Sequence, residues 1–468
     1  MNNLERSDKM NSNLLTDKVS KLIFKLSIPM ILAQLINLLY NIVDRIYIGN
    51  YRDIGLIAIG GVGACFPIII LISAFAALFG MGGAPLAAIF LGGKEKNKAE
   101  QTLNTSFIML LIISILIIPI MLIFKESILL AFGANQVNLK YAIDYINIYI
   151  IGTPFVMLSL GLNQYLSSQG LTLYAMISVL IGAIMNILLD PLFIYAFDMG
   201  VSGAALATIV SQGLSAVFII FILSSKKSII KIKPLEFKFN KEIIAKIVFL
   251  GLSPFIMQST EALVQISFNI QIKNYITDLE MQTIYLSVMT IMISIMSLIN
   301  MPLQGLAQGT QPIISQNYGA NNLERAKEAS KKLILYCLIF SFVFVIIVLI
   351  FPTIFIKMFN NDQNLLEIGR KLIRIFLIGM AFMGIQIGCQ NSFLAIGKSK
   401  ISLILACLRK IILLIPLTFI LPLFIGSNGI FIAESVADIL AISITLICYI
   451  VLFNKYLKKD KGEQICQK

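Results

Sequence analysis

Five carboxylates interrupt long apolar stretches of the sequence, where a charged side chain is costly and usually marks a functional site. They are Asp44, Asp190, Glu261, Glu434 and Asp438. Carboxylate, amide and hydroxyl oxygens are the ligands that a hard cation such as Na⁺ prefers, and a protonated carboxyl group can carry H⁺ instead. The sequence contains no histidine, so any proton chemistry must depend on these carboxyl groups.

Amides and hydroxyls accompany the carboxylates at helical spacing, so that several polar groups share one helix face. The stripes are Gln34, Asn37, Asn41 and Asp44, then Asn186 and Asp190, then Gln258, Glu261, Gln265 and Asn269, and finally Glu434 and Asp438, with Thr208 in a further helix. A single amide of this kind is commonly only an interhelical hydrogen-bonding group. Five carboxylates with polar stripes in both halves of the chain indicate a functional site.

The elements that must position these groups are membrane-spanning helices. The chain of 468 residues is 58% hydrophobic and only 13% charged, and its mean hydropathy is +0.89. Its apolar runs approach the roughly 20 residues that cross a bilayer as a helix. We predict an all-α polytopic membrane protein whose twelve spans have the approximate limits 22–47, 54–79, 102–124, 141–168, 172–197, 201–223, 243–272, 282–306, 331–352, 367–395, 401–424 and 428–453.

An internal repeat divides these spans into two equal sets. Pro85 and Gly92 recur as Pro312 and Gly319, at an offset of 227 residues. We predict two six-helix lobes related by a pseudo-two-fold axis along the membrane normal. The N-terminal lobe takes residues 1–223, a cytoplasmic linker 224–246, and the C-terminal lobe with a cytoplasmic tail 247–468. The repeated Pro-Gly punctuation is expected to shape the inner loops.

The net charge of +13 is explained by topology rather than by nucleic-acid binding. Lys and Arg concentrate in the tails and in the loops of one side, which by the positive-inside rule places both termini in the cytoplasm. Arg409 and Lys410 lie within a span. We expect them to extend to the cytoplasmic headgroups, with Arg409 lining a cavity as the alternative. The sequence has no nucleotide-binding loop and no nucleophile–base pair, so we expect neither an enzyme nor a cofactor.

The ordered set of these motifs resembles the multidrug and toxic compound extrusion (MATE) transporters, and within them the MepA-like bacterial branch. The matching segments are Pro29 to Asp44, Gly80 to Gly92, Asn186 to Pro191, Gly203 to Thr208, Pro254 to Glu261, Gln311 to Gly319 and Gly429 to Asp438. The resemblance implies two lobes forming a V around a central cavity. It also implies multidrug efflux, with organic cations and other drugs exported by alternating access in antiport with Na⁺ or H⁺.

The resemblance also implies where the ions and the drugs bind. The family's cation site matches Asp44, Asn186, Asp190 and Thr208, with Tyr40 beside Asp44, and Na⁺ is the metal expected there. The substrate cavity is expected to include Gln34, Asn37, Asn41, Gln258, Glu261, Gln265, Glu434 and Asp438. Some members carry a further carboxylate in span ten, but Leu372 to Ile396 of this sequence contains none. We therefore expect the cation site in the first lobe.

The expected partners are cationic or amphipathic drugs and membrane lipids, with no nucleic acid, and the chain is expected to be a monomer in a bacterial cytoplasmic membrane. The alternative is a flippase for lipid-linked sugars within the same superfamily. Such a flippase needs a strongly basic cavity for the pyrophosphate, whereas most of the intramembrane charges here are acidic. The sequence therefore favours a cationic cargo.

Overall fold

The computed structural model describes residues 14–51, 55–132, 134, 136–233, 240–359 and 362–457. Within these residues the chain forms twelve helical spans. The first lobe contains α1 (Val19–Gly49), α2 (Gly55–Gly92), α3 (Lys96–Ala131), α4 (Leu139–Ile151 and Thr153–Ser168), α5 (Thr172–Pro191) and α6 (Gly200–Ser224). The second contains α7 (Lys241–Tyr275), α8 (Leu279–Gly319), α9 (Leu323–Ile350), α10 (Gln363–Leu377 and Met383–Ala395), α11 (Ser399–Cys407 and Ile415–Ile425) and α12 (Asn428–Cys448). The described residues include no strand.

The helices confirm the prediction of a multi-pass membrane protein. Eleven are long and apolar enough to cross a bilayer, and the two pieces of α4, bent by 59°, make the twelfth if they are counted as one span. Several helices extend beyond the predicted spans. In particular, α7 begins at Lys241, inside the segment that the sequence assigned to the linker.

Two hydrophobic clusters make up the core, one for each lobe, and the lobes exchange the first turns of α1 and α7. The start of α1, including Leu22 and Leu26, packs in the cluster of the second lobe. The start of α7, including Ile247 and Leu250, packs in the cluster of the first lobe. We call the side of the molecule on which α1 and α7 begin the basic side.

Glycines at repeat-related positions let the lobes approach closely at this side. A Cβ added at Gly92, the last residue of α2, would lie 2.0 Å from the carbonyl oxygen of Gln316 in α8. A Cβ added at Gly319, the last residue of α8, would lie 1.9 Å from the carbonyl oxygen of Ile89 in α2. The expectation that this punctuation shapes the inner loops is therefore wrong, since the motif lies within the helices and packs one lobe against the other.

Two π-helical turns interrupt the spans next to the polar groups. One covers Leu192–Ala196 and directly follows Pro191 at the end of α5. The other covers Leu408–Leu414 and joins the two pieces of α11. Such turns are rare and are found frequently at functional sites, because the wider turn changes the direction in which side chains project. Here one turn follows Asp190 and the other contains Arg409 and Lys410.

Candidate functional site

The residues of the expected cation site come together in the first lobe. Asn186 and Asp190, one turn apart on α5, are 2% and 0% exposed. The Asn186 amide donates hydrogen bonds to Asp190 Oδ1 at 3.2 Å and to Thr208 Oγ1 on α6 at 3.4 Å. The side chain of Tyr145 on α4 lies next to Thr208. The site thus joins three helices of one lobe.

Asp44 reaches the same region from α1. Its charge interacts with that of Asp190, and with the hydroxyl of Tyr40 one turn earlier. Three buried oxygens of this group have no hydrogen-bond partner, namely Asp44 Oδ1, Asn186 Oδ1 and Asp190 Oδ2. Buried polar atoms are normally paired, so three unpartnered acceptors in one region have the chemistry that a cation or a bound proton would satisfy.

These acceptors are all hard oxygen ligands. Among the described residues there is no group of three or more His, Cys, Asp or Glu side chains that could hold a metal ion. Two carboxylates, one amide and one hydroxyl are oxygen ligands of the kind that Na⁺ takes, and a carboxylate can instead take H⁺. The arrangement agrees with the residues predicted from the sequence, whose role as a cation site stays a prediction.

A cavity with many polar side chains in its wall lies beside this group. The predicted residues Gln34, Asn37, Tyr40, Asn186 and Thr208 line it. The second lobe contributes Gln308, whose side-chain oxygen accepts a hydrogen bond from the Gln34 amide at 3.2 Å. Asn41 does not line it, because that side chain is exposed and donates to the Asn37 carbonyl oxygen at 2.6 Å.

The sequence analysis missed most of the remaining polar wall. Further lining residues are Ser159, Asn163, Gln164, Ser211, Gln212 and Ser215. A signal for some of them was present, since Thr208, Ser211, Gln212 and Ser215 fall at i, i+3, i+4 and i+7 on α6 and therefore share one face. The pairs Asn163–Ser178 (2.7 Å) and Ser159–Ser215 (3.1 Å) then connect α4 with α5 and α6.

The acidic residues of the second lobe are neutralised by Arg409 and Lys410. Arg409 donates to Asp438 Oδ1 at 2.7 Å and to Glu434 Oε1 at 3.0 Å. Lys410 donates to the Met257 carbonyl oxygen at 2.8 Å and to Glu261 Oε2. The two basic residues are only 7% and 8% exposed. The expectation that they extend to the headgroups is therefore wrong, because carboxylates on α7 and α12 hold them inside the lobe.

A second cavity adjoins this network. Glu261, Gln265 and Glu434 line it as predicted, together with Arg409 and Lys410. The other two residues predicted for the substrate cavity lie elsewhere: Asp438 is buried behind Arg409, and Gln258 is half-buried and lines neither cavity.

The two lobes carry different polar groups at positions related by the internal repeat. At the offset of 226 residues that relates Gly200 to Gly426, Thr208 and Gln212 correspond to Glu434 and Asp438. The first lobe therefore has a hydroxyl and an amide where the second has two carboxylates. The second has carboxylates on α12 that already hold a guanidinium group.

The fold and the polar groups agree with one protein family, whose model, described as MatE, matches residues 29–192 and 260–420. The chain belongs to the MatE family. Its members are transporters, and the resemblance to the MATE transporters is confirmed.

Two relatives of this MatE chain are named "Multidrug export protein MepA". The protein of Staphylococcus aureus (strain MSSA476) is 25% identical over 448 residues, which cover 96% of this chain and 97% of that protein. The protein of Staphylococcus haemolyticus (strain JCSC1435) is 25% identical over 430 residues, covering 91% and 93%.

Solved MATE structures have the same two-lobe fold. One, described as an outward-facing conformation of a multidrug resistance MATE transporter, has a TM-score of 0.85 at 25% identity and covers 96% of this chain and 98% of its own. A MATE protein in a bent conformation has a TM-score of 0.87 at 25% identity and covers 97% and 99%. The prediction of two six-helix lobes is thereby confirmed.

Proposed function

We propose that this MatE-family chain exports organic cations and other drugs in exchange for Na⁺ or H⁺. The observation that carries the proposal is the group of three unpartnered buried oxygens at Asp44, Asn186 and Asp190. The names of the two staphylococcal relatives support drugs as the cargo. The two cavities, each with polar walls and a carboxylate at or near its surface, are the proposed drug sites.

Coupling follows if the ion and the drug stabilise different states of the transporter. A bound Na⁺ or H⁺ cancels one of the two negative charges of the Asp44–Asp190 pair, which relieves the repulsion between the carboxylates and weakens their attraction for a cationic drug. A drug bound in the adjoining cavity favours the charged carboxylates instead. The two ligands thereby weaken each other's binding, which is the thermodynamic requirement for exchange.

In our proposal the basic side faces the cytoplasm of a bacterial cell, because Lys and Arg concentrate there. Both termini then lie inside. The contact between Gly92 and Gln316 closes the cytoplasmic side in this state, and the drug leaves on the outer side. We further propose that the chain works as a monomer, with drugs and membrane lipids as its partners and without nucleic acid.

Efflux of ethidium from proteoliposomes tests the proposal, with an imposed Na⁺ gradient and an imposed pH gradient applied separately. Asp44→Asn and Asp190→Asn should abolish gradient-driven efflux, because neither variant can alternate between a charged and a neutral site. Glu126→Gln is the matched control, since Glu126 is an exposed carboxylate on α3 away from the site. Full gradient-driven efflux by a folded Asp190→Asn protein would rule out the proposed coupling site.

The alternative function, flipping of lipid-linked sugars, needs unpaired basic groups that can hold a pyrophosphate. Arg409 and Lys410, the two basic residues that line the second cavity, are each bonded to carboxylates. Their pairing favours drug export. Loss of a cell-wall precursor lipid from cells that lack the protein, with unchanged ethidium efflux, would favour the flippase instead.

A further inference from the structure

The second cavity has the walls of an organic-cation site. Phe268, Phe376 and Met296 supply aromatic and thioether surface. The Glu261 carboxylate lies at the edge of the same space, and its side chain is 50% exposed. Aromatic rings and a carboxylate together favour a large cation with delocalised or shielded charge.

The carboxylate of this cavity already has a cation bound to it. The Lys410 ammonium donates to Glu261 and to the Met257 carbonyl oxygen, one turn earlier on α7. An ammonium group has three N–H donors and sits here between a carboxylate and a carbonyl. Lys410 therefore occupies the place that the positive group of a substrate would take.

The two basic residues of the π-helical turn differ in how firmly they are held. Arg409 is bonded to two carboxylates whose side chains are 2% and 1% exposed, so the cavity gives a ligand little access to that network. Lys410 is bonded to one carboxylate, and that carboxylate is half-exposed to the cavity. The Lys410 pair is thus the one that an entering ligand can reach.

A released Lys410 would not be left unpaired. Glu434 lines the same cavity, and the charges of Glu434 and Asp438 both attract the Lys410 ammonium. The Lys410 side chain can therefore move from Glu261 towards Glu434 and keep its positive charge near a carboxylate. This makes the exchange of partners at Glu261 energetically accessible.

We propose that Lys410 is a specificity-determining residue, whose tethered ammonium competes with cationic substrates for Glu261. The inference rests on the proposed function in that it takes organic cations as the cargo. A cation must displace Lys410 in order to bind, and the return of Lys410 to Glu261 assists its release. A neutral amphipathic compound makes no use of Glu261 and is indifferent to Lys410.

Binding to the purified protein tests this inference without any transport step. The probes are tetraphenylphosphonium, a permanent cation, and N-phenyl-1-naphthylamine, a neutral amphipath. In Lys410→Met the dissociation constant for tetraphenylphosphonium should fall about tenfold. This is the change expected if the Lys410 ammonium occupies Glu261 for about nine-tenths of the time in the unmodified protein. The double variant Lys410→Met/Glu261→Gln should lose this gain, and the neutral probe should bind equally well in all variants.

Lys400→Met is the matched control, because it removes a positive charge from the exposed start of α11 and leaves the cavity unchanged. An unchanged or weaker affinity of folded Lys410→Met for tetraphenylphosphonium overturns the inference. So does an equal gain in affinity for the neutral probe, or a failure of tetraphenylphosphonium to bind both the unmodified protein and Lys410→Met. If Lys410→Met does not fold, Glu261→Gln decides, since it should weaken cation binding. Binding that follows these expectations without gradient-driven efflux would instead refute the proposed function.

Discussion

The close contact between the ends of α2 and α8 should control which side of the transporter is closed. Replacing Gly92 and Gly319 with alanine adds two methyl groups that would lie 2.0 and 1.9 Å from carbonyl oxygens of the other lobe. Ordinary contacts of a Cβ begin at 3.4 Å, so the helices must separate by more than an ångström at this side. Overpacking of this kind costs about 1–3 kcal/mol.

Because the strain exists only while the basic side is closed, it shifts the balance between the two states rather than the stability of either lobe. A change of about 1–3 kcal/mol corresponds to a roughly 5- to 150-fold shift in that equilibrium. We expect the ratio of molecules with a separated basic side to molecules with a closed one to rise by this factor in Gly92→Ala, and further in the double variant.

Spin labels at positions 96 and 324, on exposed residues at the starts of α3 and α9, measure this separation by pulsed electron–electron resonance. The six native cysteines are first replaced. Gly93→Ala is the matched control, since its added Cβ would lie 3.4 Å from the nearest atom, the Gly319 carbonyl oxygen. If Gly92→Ala gives the same distance distribution as Gly93→Ala, the reasoning from close contact is refuted.

Two further predictions concern the polar groups of each lobe. Arg409→Met leaves Glu434 and Asp438 buried without a cation, so it should destabilise the protein by about 3–5 kcal/mol, measured by thermal unfolding in detergent. Removing the carboxylates as well, with Glu434→Gln and Asp438→Asn, should restore most of that loss; no recovery would show that the ion pairs are not its cause. Thr208→Val removes one acceptor of the Asn186 amide, and we expect gradient-driven ethidium efflux to slow about tenfold, in line with the roughly 1.5 kcal/mol of one hydrogen bond. Unaltered efflux by Thr208→Val would separate Thr208 from the coupling site.

The helices and the first-lobe group could be predicted because their signals are local or repeated. Apolar runs identify spans directly. Asn186 and Asp190 share one helix, so their spacing alone places them on one face. The repeat then assigns each half the same scaffold. The family resemblance added Thr208 and Tyr40 to the predicted cation site, because their distance from Asp190 depends on how separate helices pack.

The ion-pair network and the glycine contacts depend on tertiary packing, which the sequence pattern does not contain. The carboxylate partners of Arg409 and Lys410 lie 25 to 149 residues away along the chain. Each basic residue alone looks like a side chain that extends to the headgroups. Gly92 and Gly319 likewise look like loop residues. Glycine is common both at the end of a helix and where two helices pack closely, so the residue type alone does not distinguish the two roles.

The exchange of helix starts between the lobes has a consequence for biosynthesis. Leu22 and Leu26 are made first but find their packing partners only among residues of the second half, since they belong to its core cluster. The first lobe in turn lacks Ile247 and Leu250 until α7 is made. Neither half therefore has a complete core of its own. The ribosome must deliver the start of α7 to the membrane before the first half can finish folding, and severed halves should accumulate only when they are produced together.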